Sequence, residues 1–309
     1  IHEYEVALDF EEFTKFNAES AIKFKHHLNN KKNVRTGENI SKSTYSSYLK
    51  NVQKFFNWLI DEKFNEYRKL KKSDVRYFNI TQNDANKAKA TNIQESYKVS
   101  EILSTIRKIP DETILQKRDK AIISLRLLTV PRTASLKTAR IKSIRYLDEY
   151  EAWAFIQDPR LQDVKFAKNI TSFFIGQSQD IINNVIKWKE FLIEQGFKDN
   201  DHLFPKIISP FNQERKNQLA LTKEYMRKDE SISKIFKKAF ADNNLKYIKP
   251  HNFRHSIARL VRKMPNAFDL ALALEENYGH KSKNSTMVNS YMQEFTQQRA
   301  DKMKSIMFE

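Results

Sequence analysis

Only four glycines and seven prolines punctuate 309 residues. A chain this poor in turn formers cannot be assembled from many short strands. Its apolar residues recur at three- and four-residue intervals, so the sequence calls for a mainly helical protein. From about Phe10 to Leu28, the positions Phe13, Phe16, Ile22, Phe24 and Leu28 mark one helical face, and Gly37 with its polar neighbours ends it. Ser41 or Ser43 is suited to cap the next helix. There Tyr45, Leu49, Val52, Phe56 and Leu59 share one face. Lys42, Ser46, Lys50 and Lys54 repeat every fourth residue on another, with Ser43 beside them. A lysine-serine stripe of that period can lie along a phosphate backbone, although a plain solvated face has the same pattern.

From about Thr81 to Tyr97 the sequence is polar and without clear periodicity, and it reads as a linker. The expected division is a helical domain over 1–82, a linker over 83–97 and a second domain over 98–309. Ser100 is placed to cap the first helix of that domain. A long apolar helix, RDKAIISLRLLTV, is ended by Pro131, and Arg132 follows the break directly. Strand signals are confined to Trp153–Ile156 and Thr171–Ile175, which predict a small antiparallel sheet with Lys165 and Lys168 near its turn. Helices resume at DIINNVIKWKEFLIEQGF, at SISKIFKKAFADNN and from HNFRHS onward. No internal repeat and no glycine-rich phosphate cradle is visible.

Lysine and arginine number 55 against 38 acidic residues, a net charge of +17. That surplus points to a polyanionic partner, nucleic acid before an anionic membrane. No apolar run approaches the roughly 18 residues of a membrane span. With no cysteine, disulfides, thiol chemistry and cysteine-bearing zinc sites are excluded. There is no signal-peptide pattern at Ile1, although the first residue is not Met. With DNA as partner, the expected location is cytoplasmic, at the nucleoid.

The segment from Lys249 to Tyr291 carries the chemistry. It reads KPHNFRHS, then YGH, then, eleven residues after His280, Tyr291. A tyrosine oxygen attacking a phosphodiester builds negative charge on the non-bridging oxygens, and that charge needs donors already aimed at it. Arg254 and His251, three apart, share a face on a helix. Arginine suits the task because its planar fork donates two parallel hydrogen bonds to phosphate and stays charged. His251 and His280 can donate to the same oxygens, and a neutral imidazole can take the phenolic proton. His251 and His255 also have a metal-ligand spacing, but no glutamate follows His251 as H-E-x-x-H demands. No metal site is expected, and His255 is expected to pack behind the site. Tyr278 is a rival nucleophile that adjoins the Gly-His pair.

This ordered series resembles the tyrosine recombinases, also called phage-type integrases. HNFRHS resembles that family's H-x-x-R-H box and NYGH its leucine-glycine-histidine element, with Tyr291 at about the nucleophile's usual distance. RDKAIISLRLLTVPRTASL is similar to the segment bearing the first arginine, which assigns that role to Arg132. DVKFAKNITSFF is similar to the β-hairpin carrying the catalytic lysine, best matched by Lys165 with Lys168 second. SKSTYSSYLKNVQKFFNWL is similar to a helix of the core-binding domain, so the resemblance covers most of the chain. Departures are Val130-Pro131 where the family has Gly-Leu, Ser135 where it has an acidic residue, and Phe166-Ala167 where glycines flank the lysine.

The resemblance implies a mainly α protein with a small antiparallel β-sheet: a helical core-binding domain and a mixed α/β catalytic domain that form a C-shaped clamp on DNA. The implied catalytic set is Arg132, Lys165, His251, Arg254, His280 and Tyr291, with Lys42, Ser43, Ser46, Lys50 and Lys54 on DNA. Tyr291 would form a 3′-phosphotyrosyl bond without ATP or an obligatory metal, and strand exchange would pass through a Holliday junction. The implied partners are double-stranded DNA with inverted-repeat sites and further copies of the chain, as a tetramer. Apolar Phe295, Met303, Ile306, Met307 and Phe308 give the tail two options, docking on a neighbouring subunit or folding back on its own domain. Competing functions are type IB topoisomerase-like relaxation and non-catalytic DNA binding on the same fold.

Overall fold

A computed structural model describes residues 1–62, 64–89, 95–208, 219–279 and 299–308. The chain divides into two compact units, Ile1–Ile93 and Gln94–Glu309.

The first unit is helical: α1 (His2–Ala7), α2 (Ala18–Asn30), α3 (Lys42–Asp61), α4 (Lys72–Val75) and α5 (Gln82–Lys89). The single helix expected from Phe10 is divided, because Asn17 and Ser20 form a reciprocal cap that starts α2 afresh. Phe10 and Ile22 are exposed as a result. Ser41 caps α3 by accepting the Thr44 amide at 3.1 Å. The apolar face expected on α3 is buried throughout, and Phe16 stacks on Phe56 with ring centroids 3.9 Å apart. Helix α5 lies inside the stretch expected to be linker; it packs on α3, where Asp84 pairs with Lys42 at 3.2 Å.

Ser46 corrects the expected stripe, since it is buried. Each four-residue step advances about 40° around a helix, so a stripe of such steps drifts toward the core. The exposed polar face of α3 instead carries Ser43, Ser47, Lys50, Asn51 and Lys54.

The second unit opens with α6 (Val99–Lys108), α7 (Ile114–Thr129) and α8 (Thr133–Lys137). Glu101 accepts the Lys98 amide at 2.7 Å, so α6 begins a residue before the expected cap, Ser100. Three strands follow, β1 (Ile144–Leu147), β2 (Ala152–Gln157) and β3 (Ile170–Phe173), in an antiparallel sheet of order β1-β2-β3. After α9 (Gln179–Glu194), β4 (Pro205–Ile208) and β5 (Ala220–Tyr225) form a second antiparallel pair that the sequence pattern did not disclose. Helices α10 (Asp229–Ala241), α11 (Phe253–Val261) and α12 (Ala267–Asn277) complete the ordered series. One core runs through the unit, from Ile102 and Leu125 to Phe155, Trp188, Phe236 and Phe253.

Residues 299–304 are helical, and the tail folds back on its own unit: Ala300, Met303 and Ile306 are fully buried in that core. Gly176 makes this possible. Its amide donates to Met303 O at 2.8 Å, and a Cβ there would sit 2.9 Å from Ile306 O. Met307 stays exposed and Phe308 rests on the core; Phe295 lies outside the described residues.

Candidate active site

Helix α7 sets the site up by the way it ends. Val130 leaves the helix in the left-handed conformation, φ 44° and ψ 46°. For a β-branched residue this costs about 1–2 kcal/mol, and glycine at that position would have avoided it. The turn aims the Val130 carbonyl at α11, where Arg254 donates to it from Nε at 3.2 Å and Nη2 at 3.1 Å. Pro131 then stops the helix, and Arg132 starts α8 in extended conformation. Among the described residues no hydrogen bond or ion pair holds the Arg132 guanidinium.

Arg254 is buried, with its guanidinium carbon 4.7 Å from the centroid of the buried Tyr278 ring. Burial, then the charge of Arg132, push Arg254 down to about 10. His251 stands on a 3-10 turn just before α11, not on the helix itself. It reaches solvent on one side. Desolvation, then the charges of Arg254, Arg126, His255 and Arg132, push it down to about 4. Residues from α7, the Pro131 turn and α11 thus share one positive field, and His251 within it is neutral at pH 7.

The ordinary histidine value, and that of the unfolded chain, is near 6.5, whereas the folded ring protonates near 4. The unfolded state therefore binds the extra proton between those values. Stability contributed by the neutral ring is complete above pH 6.5 and is lost as pH falls from 6.5 toward 4. Ring-proton NMR of the DNA-free protein should show His251 still neutral at about pH 5.5; a midpoint at the ordinary value would contradict the clustering of these cations.

Lys165 lies on the β2–β3 connection, exposed, with Nζ 4.7 Å from the Phe166 ring centroid. Phe166 and Ala167 both have positive φ, 64° and 47°. The turn thus keeps the backbone shape glycine favours without having glycine. Arg132 and Lys165 line one open cleft of about 450 Å³; Lys168 is exposed on the same connection. Helix α8 clasps that connection at Asp163. Ser135 Oγ donates to Asp163 O at 2.9 Å, and the Asp163 amide donates to Thr138 Oγ1 at 2.8 Å. Ser135 therefore ties the Arg132 helix to the Lys165 segment, a structural bond at the position where an acidic residue was missed.

His280 and Tyr291 lie outside the described residues. The described chain before them is held at Asn277 and Gly279. Asn277 Oδ1 accepts the Phe173 amide at 2.7 Å, and its Nδ2 donates to Phe173 O at 3.0 Å. Gly279 has φ 66°, and a Cβ there would collide with Ile170 of β3. Neither Asn277 nor the fully buried Arg126 stood out in the sequence. The available signal for Arg126 was a cation in the middle of an apolar helix. Lys42, Ser43, Ser46, Lys50 and Lys54 all belong to the other unit. Among the described residues no three histidine or carboxylate side chains gather as metal ligands, and no helix is long and apolar enough to cross a membrane.

No family model and no curated protein matches the chain. Solved structures do. The XerH site-specific recombinase bound to its difH substrate, in a pre-cleavage complex, superposes with TM-score 0.54 at 19% identity, over 96% of this chain and 74% of the other. A lambda integrase (75–356) dimer bound to a COC′ core site gives 0.49 at 12% identity, over 92% and 87%. The integrase from mycobacterium phage Brujita gives 0.44 at 16%, over 98% and 82%. The chain has the tyrosine recombinase fold, mainly α with a small antiparallel sheet.

Proposed function

We propose that this chain is a site-specific DNA recombinase that cuts and rejoins DNA through a covalent tyrosine ester. The observation that supports this most is the gathering of Arg132, Arg254 and His251 into one positive field, with Lys165 on the cleft that Arg132 lines. Such a field suits the charge that develops on a pentacovalent phosphorus. The Tyr291 oxygen attacks the scissile phosphorus and loses its proton to neutral His251. The bond from phosphorus to the 5′-oxygen breaks, and Lys165 protonates the departing oxygen. Arg132, Arg254 and His280 hold the non-bridging oxygens. The ester conserves the bond energy, so a 5′-hydroxyl of a second duplex can reverse the step without ATP. Two such rounds, through a Holliday junction in a homotetramer on inverted-repeat sites, complete an exchange, as integration or transposition of a mobile element requires. Lys50, Lys54, Ser43 and Lys42 of α3 contact the phosphate backbone.

The target sequence can be found with the activity itself. Duplexes with a randomised core and a nick beside each possible scissile phosphate are incubated with the protein, which is then denatured. Protein-linked DNA is recovered and sequenced, and the modified peptide is mapped by mass spectrometry. The expected result is a defined sequence family joined through a 3′-phosphate to residue 291, with no adduct from Tyr291→Phe. Absence of any adduct would leave a non-catalytic DNA-binding protein. Relaxation of plasmid lacking the captured sequence would mark a topoisomerase.

A further inference from the structure

Arg126 is fully buried in α7, in the midst of Ile122, Leu125 and Leu128 of the core. Its Nε donates to Pro250 O at 3.1 Å and its Nη1 to Pro131 O. These acceptors are the carbonyls of the two peptide bonds that lead into His251 and Arg132. Among the described residues its third donor, Nη2, is buried without a partner. Among the described residues no carboxylate pairs with it, and the charge of Arg254 lies close enough to disfavour its own. A buried charge with neither counter-charge nor full hydrogen bonding is costly to keep, and a hydrophobic residue of similar volume would avoid that cost. An anion brought to the neighbouring arginines would offset it.

Resting on the recombinase assignment above, we propose that Arg126 is a positioning residue of the phosphate site. Its guanidinium staples the segment that carries Arg132 to the segment that carries His251, and adds positive charge behind the scissile phosphate. It touches neither DNA nor the reacting atoms. The phosphate supplies the missing negative charge, so the site is electrostatically complete only with DNA bound.

The test compares the full-length wild type with Arg126→Met on the duplex captured by wild type, and on the same duplex with one non-bridging oxygen of the scissile phosphate replaced by methyl. The methylphosphonate is neutral and makes little demand on positive charge. Arg126→Met is expected to lose about 100-fold in covalent cleavage of the phosphodiester, with a clearly smaller loss on the methylphosphonate. The His251 titration should also move up toward its ordinary value. Equal losses on the two duplexes, or no loss on either, would overturn the proposal, as a purely structural or irrelevant residue behaves in those ways. Should Arg126→Met not fold, Arg126→Gln is used in the same comparison, and failure of both to fold would assign Arg126 to the scaffold alone. Because every arm uses the duplex captured by wild type, loss of the Tyr291 adduct itself would instead bring down the recombinase assignment.

Discussion

Arg254→Ala is expected to lower the rate of covalent cleavage by about 1,000-fold, and Arg254→Lys by about 100-fold. The guanidinium has two duties in one plane. Its Nε and Nη2 hold the Val130 carbonyl, which fixes the turn leading to Arg132, and in the proposed mechanism the same guanidinium holds a non-bridging oxygen of the phosphate. Alanine removes both duties. Lysine restores a charge but concentrates it on one nitrogen, which cannot hold the buried carbonyl and an anion in a shared plane. The alanine variant should also melt earlier, because Val130 O loses its two side-chain donors in a place without solvent, a cost of about 1–3 kcal/mol. Cleavage of the captured duplex under single-turnover conditions checks the rates. A lysine variant within about threefold of wild type would mean that bidentate geometry is unimportant here.

The parts legible in the sequence were those set by local periodicity or by a strong stop. The buried face of α3 follows from apolar spacing alone, and the end of α7 follows from Pro131. Arg132, His251 and Arg254 stand out in the sequence because their chemistry is unusual in that order, and the fold brings the three side chains into one field, while their catalytic roles are a proposal. Long-range fits stayed hidden. Strand β1 has four residues and only one clearly buried, Ile144, too short a pattern to alternate. In strands β4 and β5 every residue but Pro205 is exposed or only half-buried, so their pairing leaves little hydrophobic record. Ser46 was misplaced because a stripe counted by fours ignores the helix drift. Arg126 was passed over because its partners are backbone carbonyls, 5 and 124 residues away, and no side-chain motif records a carbonyl.

Asn277→Leu, a change that keeps volume and removes the amide, should destabilise the second unit by about 3 kcal/mol. Just past β3, Phe174 turns its amide to Trp153 O of β2, so Phe173, one residue earlier, points its own amide and carbonyl away from that neighbour. That edge is fully buried, with Phe173 at 0% exposure. The Asn277 side chain meets it as a one-residue strand, donating and accepting at once, while the Asn277 carbonyl accepts from Ser172 Oγ at 2.7 Å. Leucine would leave one donor and one acceptor of Phe173 stranded, each worth about 1–3 kcal/mol. Denaturant unfolding should therefore show a lower midpoint with an unchanged slope. The same bonds anchor the chain two residues before Gly279, which makes a left-handed turn against Ile170. Cleavage by the folded fraction should fall as well, and addition of Gly279→Ala, acting on the same anchor, should cost less than the sum of the two single losses. A fully additive pair would show that Asn277 and Gly279 hold the segment independently.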